Sequence, residues 1–344
     1  MDFRAIGLMS GTSLDGLDIC LVNFSRKNFE ILYAETIAYP EIWEEKLHHA
    51  INLPSEDLLA LHSEYGFYLG EQVRDFIQKN KIENIDVIAS HGHTIFHNPA
   101  RKFTLQIGDG RAIKIINQIP VVYDFRSQDV LLGGNGAPLV PIGDELLFSD
   151  YDACLNLGGF SNISLKRNGK RIAFDISPVN IVLNHFAKKL NQKFDENGDI
   201  AKSGKIDEAI LHQLNSLSFY EQSHPKSLGI EWVQQTVFPL LKNTNASTAI
   251  ATFTEHAATQ IAKILNEFQV KNVLCTGGGS YNAFLIEKIE EKTNTEIILP
   301  SNQLIEYKEA LIFSLMGMLR IQNKNNVLCS ATGSLHDHSS GIIA

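Results

Sequence analysis

Three glycine-rich segments gather groups that bind anions. "GLMSGTSLDGLD" (7–18) holds three glycines, three hydroxyl side chains and two aspartates, and "NLGGFSN" (156–162) and "TGGGSYN" (276–282) each follow an apolar run. Glycines accept unusual φ angles, so backbone N–H groups can converge on one concavity and phosphate oxygens can come close. Ser10, Thr12 and Ser13 add hydroxyl donors, and Asp15 or Asp18 can hold Mg²⁺, which keeps much of its water shell. One such turn reads as a plain hairpin. Three together point to a nucleotide site, one turn on the β- and γ-phosphates, a second facing it, the third against base or ribose. The spacings of a P-loop and of a Rossmann turn are both missing. "FDISPVN" (174–180) ends a strand with Asp175, which is either a cap or turn aspartate or a general base toward water or a sugar hydroxyl. Glu309, in "YKEALIFSLM", is either a helix-surface residue or a contact to a substrate hydroxyl.

"SHGHTIFHNP" (90–99) carries His91, His93 and His97. His91 and His93 share a face only in an extended chain. No nearby cysteine, and no carboxylate before Asp109, completes a tetrahedral metal set. A turn lining a polar substrate pocket is the preferred reading. "TLQIGDG" and "DFRSQD" supply Gln106, Asp109, Asp124 and Arg126, whose alternative roles are helix capping and surface pairing.

The elements that would position these groups follow from the apolar pattern. Runs at 5–9, 17–24 and 29–39 read as antiparallel strands. Residues 55–79 read as a helix capped by Ser55, with Leu58, Leu61, Tyr65, Leu69, Val73 and Phe76 on its buried face. "IDVIAS" (85–90) is a buried strand. The second half repeats the order: strands at 153–159, 161–167 and 171–175, with "NG" at 168–169 as hairpin turn. Helices follow near 179–191, 206–217 and 247–268, then a strand from 272 into the third glycine cluster, and helices at 281–291 and 306–321. The expected fold is α/β, two similar domains of duplicated βββαβα type around a nucleotide cleft. The Gly/Pro-rich stretch 131–145 suggests the boundary. The division expected is residues 1–135 with 318–344, carrying the first phosphate loop, and 136–317, carrying Asp175 and the adenosine-side glycine loop.

Composition limits the partners. The 344 residues are 44% hydrophobic and 20% charged, with net charge −9 and no Lys/Arg run, so a nucleic-acid surface is not expected. An anion would be held by local groups or a metal rather than by a global positive field. The four cysteines, Cys20, Cys154, Cys275 and Cys329, are far apart and form no CxxC. They read as buried thiols in a reducing compartment. With no basic leader before an apolar signal segment, and no apolar run near the ~18–20 residues that cross a bilayer, a soluble cytoplasmic protein without a membrane partner is expected.

Taken in order, "MSGTSLDGLD", "SHGHTIFHNP", "TLQIGDG", "VVYDFRSQDV", "GGNGAPLVP", "NLGGFSN", "PKSLGIEW", "TGGGSYN" and "ATGSLHDHSSG" resemble the anhydro-N-acetylmuramic acid kinases over nearly the whole chain. That family has the actin/hexokinase/Hsp70-like ATPase fold. The resemblance implies an ATP- and Mg²⁺-dependent sugar kinase that opens a 1,6-anhydro sugar with water and phosphorylates the freed O6. The product would be N-acetylmuramic acid 6-phosphate, in peptidoglycan recycling. It implies Asp175 as general base and Gly11, Thr12, Ser13, Leu14, Asp15, Gly16, Leu17 and Asp18 as the ATP phosphate segment. Gly158, Gly159, Gly277 and Gly278 fall to the nucleotide as well. Glu309, His91, Thr94, Gln106, Arg126 and Asn180 fall to the sugar, and a homodimer is implied.

The chain departs from that family at one place. "DISPVN" stands where the family reads D-T-G-P-G-N, so Ser177 and Val179 replace two glycines. Valine resists positive φ and adds bulk, so a reshaped turn or a shifted sugar is expected. "HGHT" also stands where "HGQT" is common. Two rival readings keep the fold: a kinase of another sugar or small metabolite, with Asp175 deprotonating a hydroxyl, and an ATP-dependent regulatory binding protein.

Overall fold

The computed structural model describes every residue except Met1, Thr12, Ser13, Asp15, Arg26 and Lys27. The strands are β1 (Phe3–Ser10), β2 (Leu17–Phe24), β3 (Phe29–Ile37), β4 (Val87–Ser90), β5 (His93–Asn98), β6 (Phe103–Ile107), β7 (Val121–Tyr123), β8 (Ala153–Leu157), β9 (Phe160–Arg167), β10 (Lys170–Pro178), β11 (Asn272–Thr276), β12 (Glu296–Ile298) and β13 (Ile342–Ile343). The chain divides into two compact units, Met1–Leu147 with Tyr307–Ala344, and Phe148–Glu306.

In the first unit the sheet order is β13-β7-β4-β1-β2-β3. β1 pairs antiparallel with β2, and β2 with β3, while β4 and β7 continue the sheet parallel to β1. Alternation along β1 sends its residues to two covered faces. Ile6 and Leu8 join Ile19, Leu21 and the helix Ser55–Asn80, which brings Leu58, Leu61, Tyr65, Leu69, Val73 and Phe76 into the same core. Gly7 faces the opposite way, against the helix Asn302–Ile321, and a Cβ there would overlap the Ala310 carbonyl. Ser55 is the first residue of its helix rather than its cap; Pro54 holds that position, with no side-chain cap. β5 and β6 form a separate two-stranded sheet.

The second unit has the order β10-β9-β8-β11-β12. β8, β9 and β10 form an antiparallel meander, and β11 and β12 run parallel to β8. The β9–β10 turn is Asn168-Gly169, both at positive φ (52° and 76°), as a two-residue type I′ hairpin requires. Ala153, Leu155 and Leu157 of β8 pack with the helices Asn180–Lys188 and Ala246–Glu267 in one core. Counted within its own sheet, each contains the order 3-2-1-4-5, three antiparallel strands followed by two parallel ones. This is the duplicated α/β topology of the actin-like ATPase and ribonuclease H-like fold.

The division of the chain falls after Leu147 and after Glu306, not after 135 and 317. The cause is local packing. Asp144, in the helix Pro141–Leu146, forms a buried ion pair with Lys308 at 2.8 Å. Gly143 in the same helix lies against Ile312. The Gly/Pro-rich stretch is therefore part of the first unit rather than the boundary between units.

Candidate active site

The first glycine turn joins β1 to β2. Gly11, Leu14 and Gly16 frame it, whereas Thr12, Ser13 and Asp15, three of its expected ligand groups, lie outside the described residues. Leu14 sits at φ 60° and Gly16 at φ 153°. A Cβ on Gly16 would approach the Ile37 carbonyl oxygen to 2.7 Å, so close passage of the β3 end requires glycine there. Ser10, the last residue of β1, is fixed by a buried polar chain. The Tyr39 and Tyr65 hydroxyls meet at 2.6 Å, Tyr39 donates to Ser10 Oγ at 2.8 Å, and Ser10 Oγ lies 3.1 Å from His93 Nδ1. Burial lowers the His93 pKa to about 4, so the imidazole is neutral and accepts the serine proton. Leu17 is buried at the start of β2, and Asp18 beside it accepts from Thr36 Oγ1 at 2.6 Å.

His91, Arg126 and Glu309 belong to one cluster in this unit. His91 Nδ1 is 2.8 Å from the Gly92 carbonyl oxygen and donates to it, and His91 Nε2 accepts from Arg126 Nε at 3.0 Å. Burial, then the Arg126 charge, holds the His91 pKa well below the ordinary value. That matches a neutral ring with one donor and one acceptor nitrogen. Arg126 Nη1 donates to the Gly136 carbonyl at 2.6 Å, and burial brings its pKa to about 10 against the pull of Glu309 and Asp129. Glu309 keeps solvent contact, while protein crowded around it pushes its carboxyl above the ordinary value; Arg126 opposes that shift and Asp18 adds to it. Thr94 and Gln106 face each other across the β5–β6 pair, with Gln106 Nε2 3.3 Å from Thr94 Oγ1. Gln106 Oε1 is buried without a partner among the described residues, an acceptor open to a hydroxyl donor. Asp109 caps the helix Gly110–Asn117 and pairs with Arg111, and Asp124 accepts from Ser127 N; both take the structural roles weighed for them.

In the second unit the strand ends bring together Asp175, Asn180 and the other two glycine turns. Asn180 Nδ2 donates to the Leu157 carbonyl at 3.2 Å, and the Val179 and Asn180 amides donate to the Gly159 and Gly158 carbonyls at 2.8 and 3.3 Å. The start of the helix Asn180–Lys188 thus holds the β8–β9 turn. Gly277 sits at φ 84°, where a Cβ would meet Asn156 Oδ1 at 2.5 Å, and the space beside Gly278 is open. Thr276 Oγ1, just before them, is buried without a partner among the described residues.

Asp175 is presented by a β-bulge. It pairs with Asn162 while Ser177 pairs with Ser161, leaving Ile176 as the extra residue; a bulge of this kind re-aims the side chains around it. Asp175 Oδ2 accepts the Leu228 N–H at 2.8 Å, and the Asp175 N–H donates to the Lys226 carbonyl at 2.9 Å. No hydrogen bond from the described residues reaches its other carboxylate oxygen. Burial raises its pKa above the ordinary aspartate value, and the Leu228 amide opposes the shift. Neither replacement of the expected glycines stands at positive φ, and Val179 (φ −136°, ψ −96°) is packed into the core of this unit.

Sequence reasoning missed the groups that hold these residues. Leu228 acts through its backbone and leaves no side-chain signature. Asp129 is fully buried, accepts from Gly136 N and from Thr332 Oγ1, both at 2.7 Å, and so orders the loop whose Gly136 carbonyl receives Arg126. Leu228 lies in "PKSLGIEW" and Thr332 in "ATGSLHDHSSG", motifs to which no role was attached, and Asp129 ends "DFRSQD", from which only Asp124 and Arg126 were drawn.

Among the described residues no group of three or more His, Cys, Asp or Glu side chains is arranged to hold a metal, and no helix is long and apolar enough to cross a membrane. The anhydro-N-acetylmuramic acid kinase of Haemophilus influenzae is 32% identical over 370 residues, covering 98% of this chain and 97% of the relative. That of Clostridioides difficile is 34% identical over 364 residues, covering 96% and 95%. Among solved structures, a ROK family glucokinase from Streptomyces griseus in complex with glucose and AMPPNP aligns with 92% of this chain and 99% of its own at 11% identity, TM-score 0.42. The family profile described as anhydro-N-acetylmuramic acid kinase matches residues 3–344, and the chain belongs to that family.

Proposed function

We propose that the protein is an ATP- and Mg²⁺-dependent kinase that opens 1,6-anhydro-N-acetylmuramic acid with water and phosphorylates O6. The observation that carries this reading is Asp175, a carboxylate with one oxygen held by a backbone N–H, the other open, and a pKa raised by burial. Such a group is a competent general base. It takes a proton from water as the water oxygen bonds to C1 and the C1–O6 bond breaks, on the logic of inverting glycoside hydrolysis. O6 then attacks the γ-phosphorus and ADP leaves, so the negative charge developing on O6 passes to the transferred phosphoryl group. His91, Arg126 and Glu309 suit the sugar side because they present a fixed cation and a carboxylate to hydroxyl and carboxyl groups. Thr94, Gln106 and Asn180 would add neutral hydrogen bonds.

The glycine turns suit the phosphates and the nucleotide, as open space at Gly278 and the unpartnered Thr276 hydroxyl support. The carboxylate oxygens of Asp18, with Asp15, are donors of the hard class that Mg²⁺ prefers; bound there, the ion would neutralise phosphate charge. The need for cellular ATP and the lack of any disulfide support a cytoplasmic setting. A homodimer is proposed on family grounds and is checked by sedimentation.

The test is ADP release by the purified protein with ATP, Mg²⁺ and 1,6-anhydro-N-acetylmuramic acid. Acceptor-dependent ADP and a 6-phosphate product are expected, and their absence overturns the reading. The Asp175→Asn variant should bind ATP normally and lose turnover by roughly 10²–10⁴-fold, the usual worth of a general base.

A further inference from the structure

A buried polar chain runs through the second unit beside Asp175. The Ser177 hydroxyl donates to the Pro178 carbonyl at 2.6 Å, and its oxygen meets the Tyr220 phenol. Tyr220 Oη is 2.8 Å from His256 Nε2, and His256 Nδ1 is 2.7 Å from Asn215 Oδ1, which also accepts from Gln260 Nε2 at 2.9 Å. Ser177 and His256 are fully buried, and Tyr220 and Gln260 nearly so. Burial lowers the His256 pKa to about 3 and raises that of Tyr220, so both are neutral. Both ends of the chain are pinned, Ser177 by donating to the Pro178 carbonyl and Asn215 by accepting from Gln260.

Polar groups buried in this way cost stability unless all are satisfied, and an apolar core would serve the helices as well. The chain differs from apolar packing in what it connects. Ser177 lies two residues beyond Asp175, on the far side of the bulge. Tyr220 starts the segment that returns to Asp175: Lys226 Nζ donates to the Phe219 carbonyl at 3.0 Å, the Lys226 carbonyl receives the Asp175 N–H, and Leu228 donates to the carboxylate. His256 and Gln260 anchor both to the long helix Ala246–Glu267.

We infer that Ser177, Tyr220 and His256 are positioning residues for the reaction, a hydrogen-bonded brace that fixes the bulge and the 226–228 clamp together and so aims the Asp175 carboxylate. This rests on the proposed role of Asp175 as base. A base displaced by about 1 Å loses up to 10²-fold in rate. Ser177→Ala and Tyr220→Phe, each removing one oxygen, should therefore lower kcat roughly tenfold with KM for ATP unchanged. The double variant should be no slower than the worse single one, because both cut one chain. Folding is checked by circular dichroism and Tm, and Asp175→Asn is assayed beside them. Folded variants with near wild-type kcat overturn the brace, and so do additive losses in kcat. If Tyr220→Phe fails to fold, Ser177→Ala alone decides by the same kcat criterion. An Asp175→Asn enzyme of normal activity overturns instead the underlying assignment of the base, so the two failures are distinct.

Discussion

Asp175 gains its basicity from two opposed effects, burial against the Leu228 amide, with burial the larger. Activity that needs the ionised carboxylate should fall as pH drops through a midpoint above the ordinary 3.8, and a kcat/KM–pH profile reads this limb directly. The sign for stability is opposite to that of a salt-bridged aspartate. As pH rises from the ordinary to the raised value the unfolded chain ionises first, so native stability declines and the deficit is complete above the raised value. Asp175→Asn at neutral pH should therefore keep or raise Tm while it abolishes most turnover; a lower Tm would show that the charge itself supports the fold. At this scale the sequence was informative about residue type and poor about partners. Asp175 was expected at a strand end, whereas β10 runs on to Pro178 and holds it at a bulge. The Thr332–Asp129 contact joins positions 203 apart, beyond any local pattern.

The helix Asn302–Ile321 lies on β1 and β4 through glycines. Gly7 of β1 meets Ala310, and a Cβ on Gly317 would come within 2.7 Å of Ala89 Cβ. This close seat sets the position of Lys308 and Glu309. Gly7→Ala should cost about 3 kcal/mol, the upper part of the range for overpacking, and should also weaken sugar binding. Urea unfolding and KM measurement check both. Lys308→Met leaves Asp144 charged and buried and should cost about 3–5 kcal/mol, whereas replacing both partners by apolar residues should cost less. The same unfolding assay compares them. Long amphipathic helices and β-branched strands were legible, as Ser55–Asn80 and β8 to β10 show. The β5–β6 hairpin was not, because His, Thr and Gln at alternating positions resemble a polar turn. Gly/Pro density around 131–145 suggested the boundary, where buried ion pairing and Asp129 keep the segment inside the first unit.

At the scale of the molecule, two separate apolar cores support two sheets of one topology. The order of elements was readable because each half repeats a meander followed by alternating helices and strands. The pairing that makes the orders equal needs long-range contacts. Of the four cysteines, Cys20, Cys154 and Cys275 are buried and Cys329 is half-buried, with no disulfide among them; burial also raises the Cys20 pKa far above the thiol range. A thiol reagent should modify one cysteine in the native protein, Cys329, and four in denaturant. Rapid native labelling of more than one would contradict the packing of β2, β8 and β11.

The discontinuity of the first unit bears on synthesis. Residues 148–306 form a contiguous unit that can fold as soon as they leave the ribosome. The earlier residues 1–147 lack part of their packing at that point, because Ala310 over Gly7, the Thr332 hydroxyl on Asp129 and the strand beside β7 all come from the chain after 306. The part made first is thus completed last, and its central sheet passes through translation with one face uncovered.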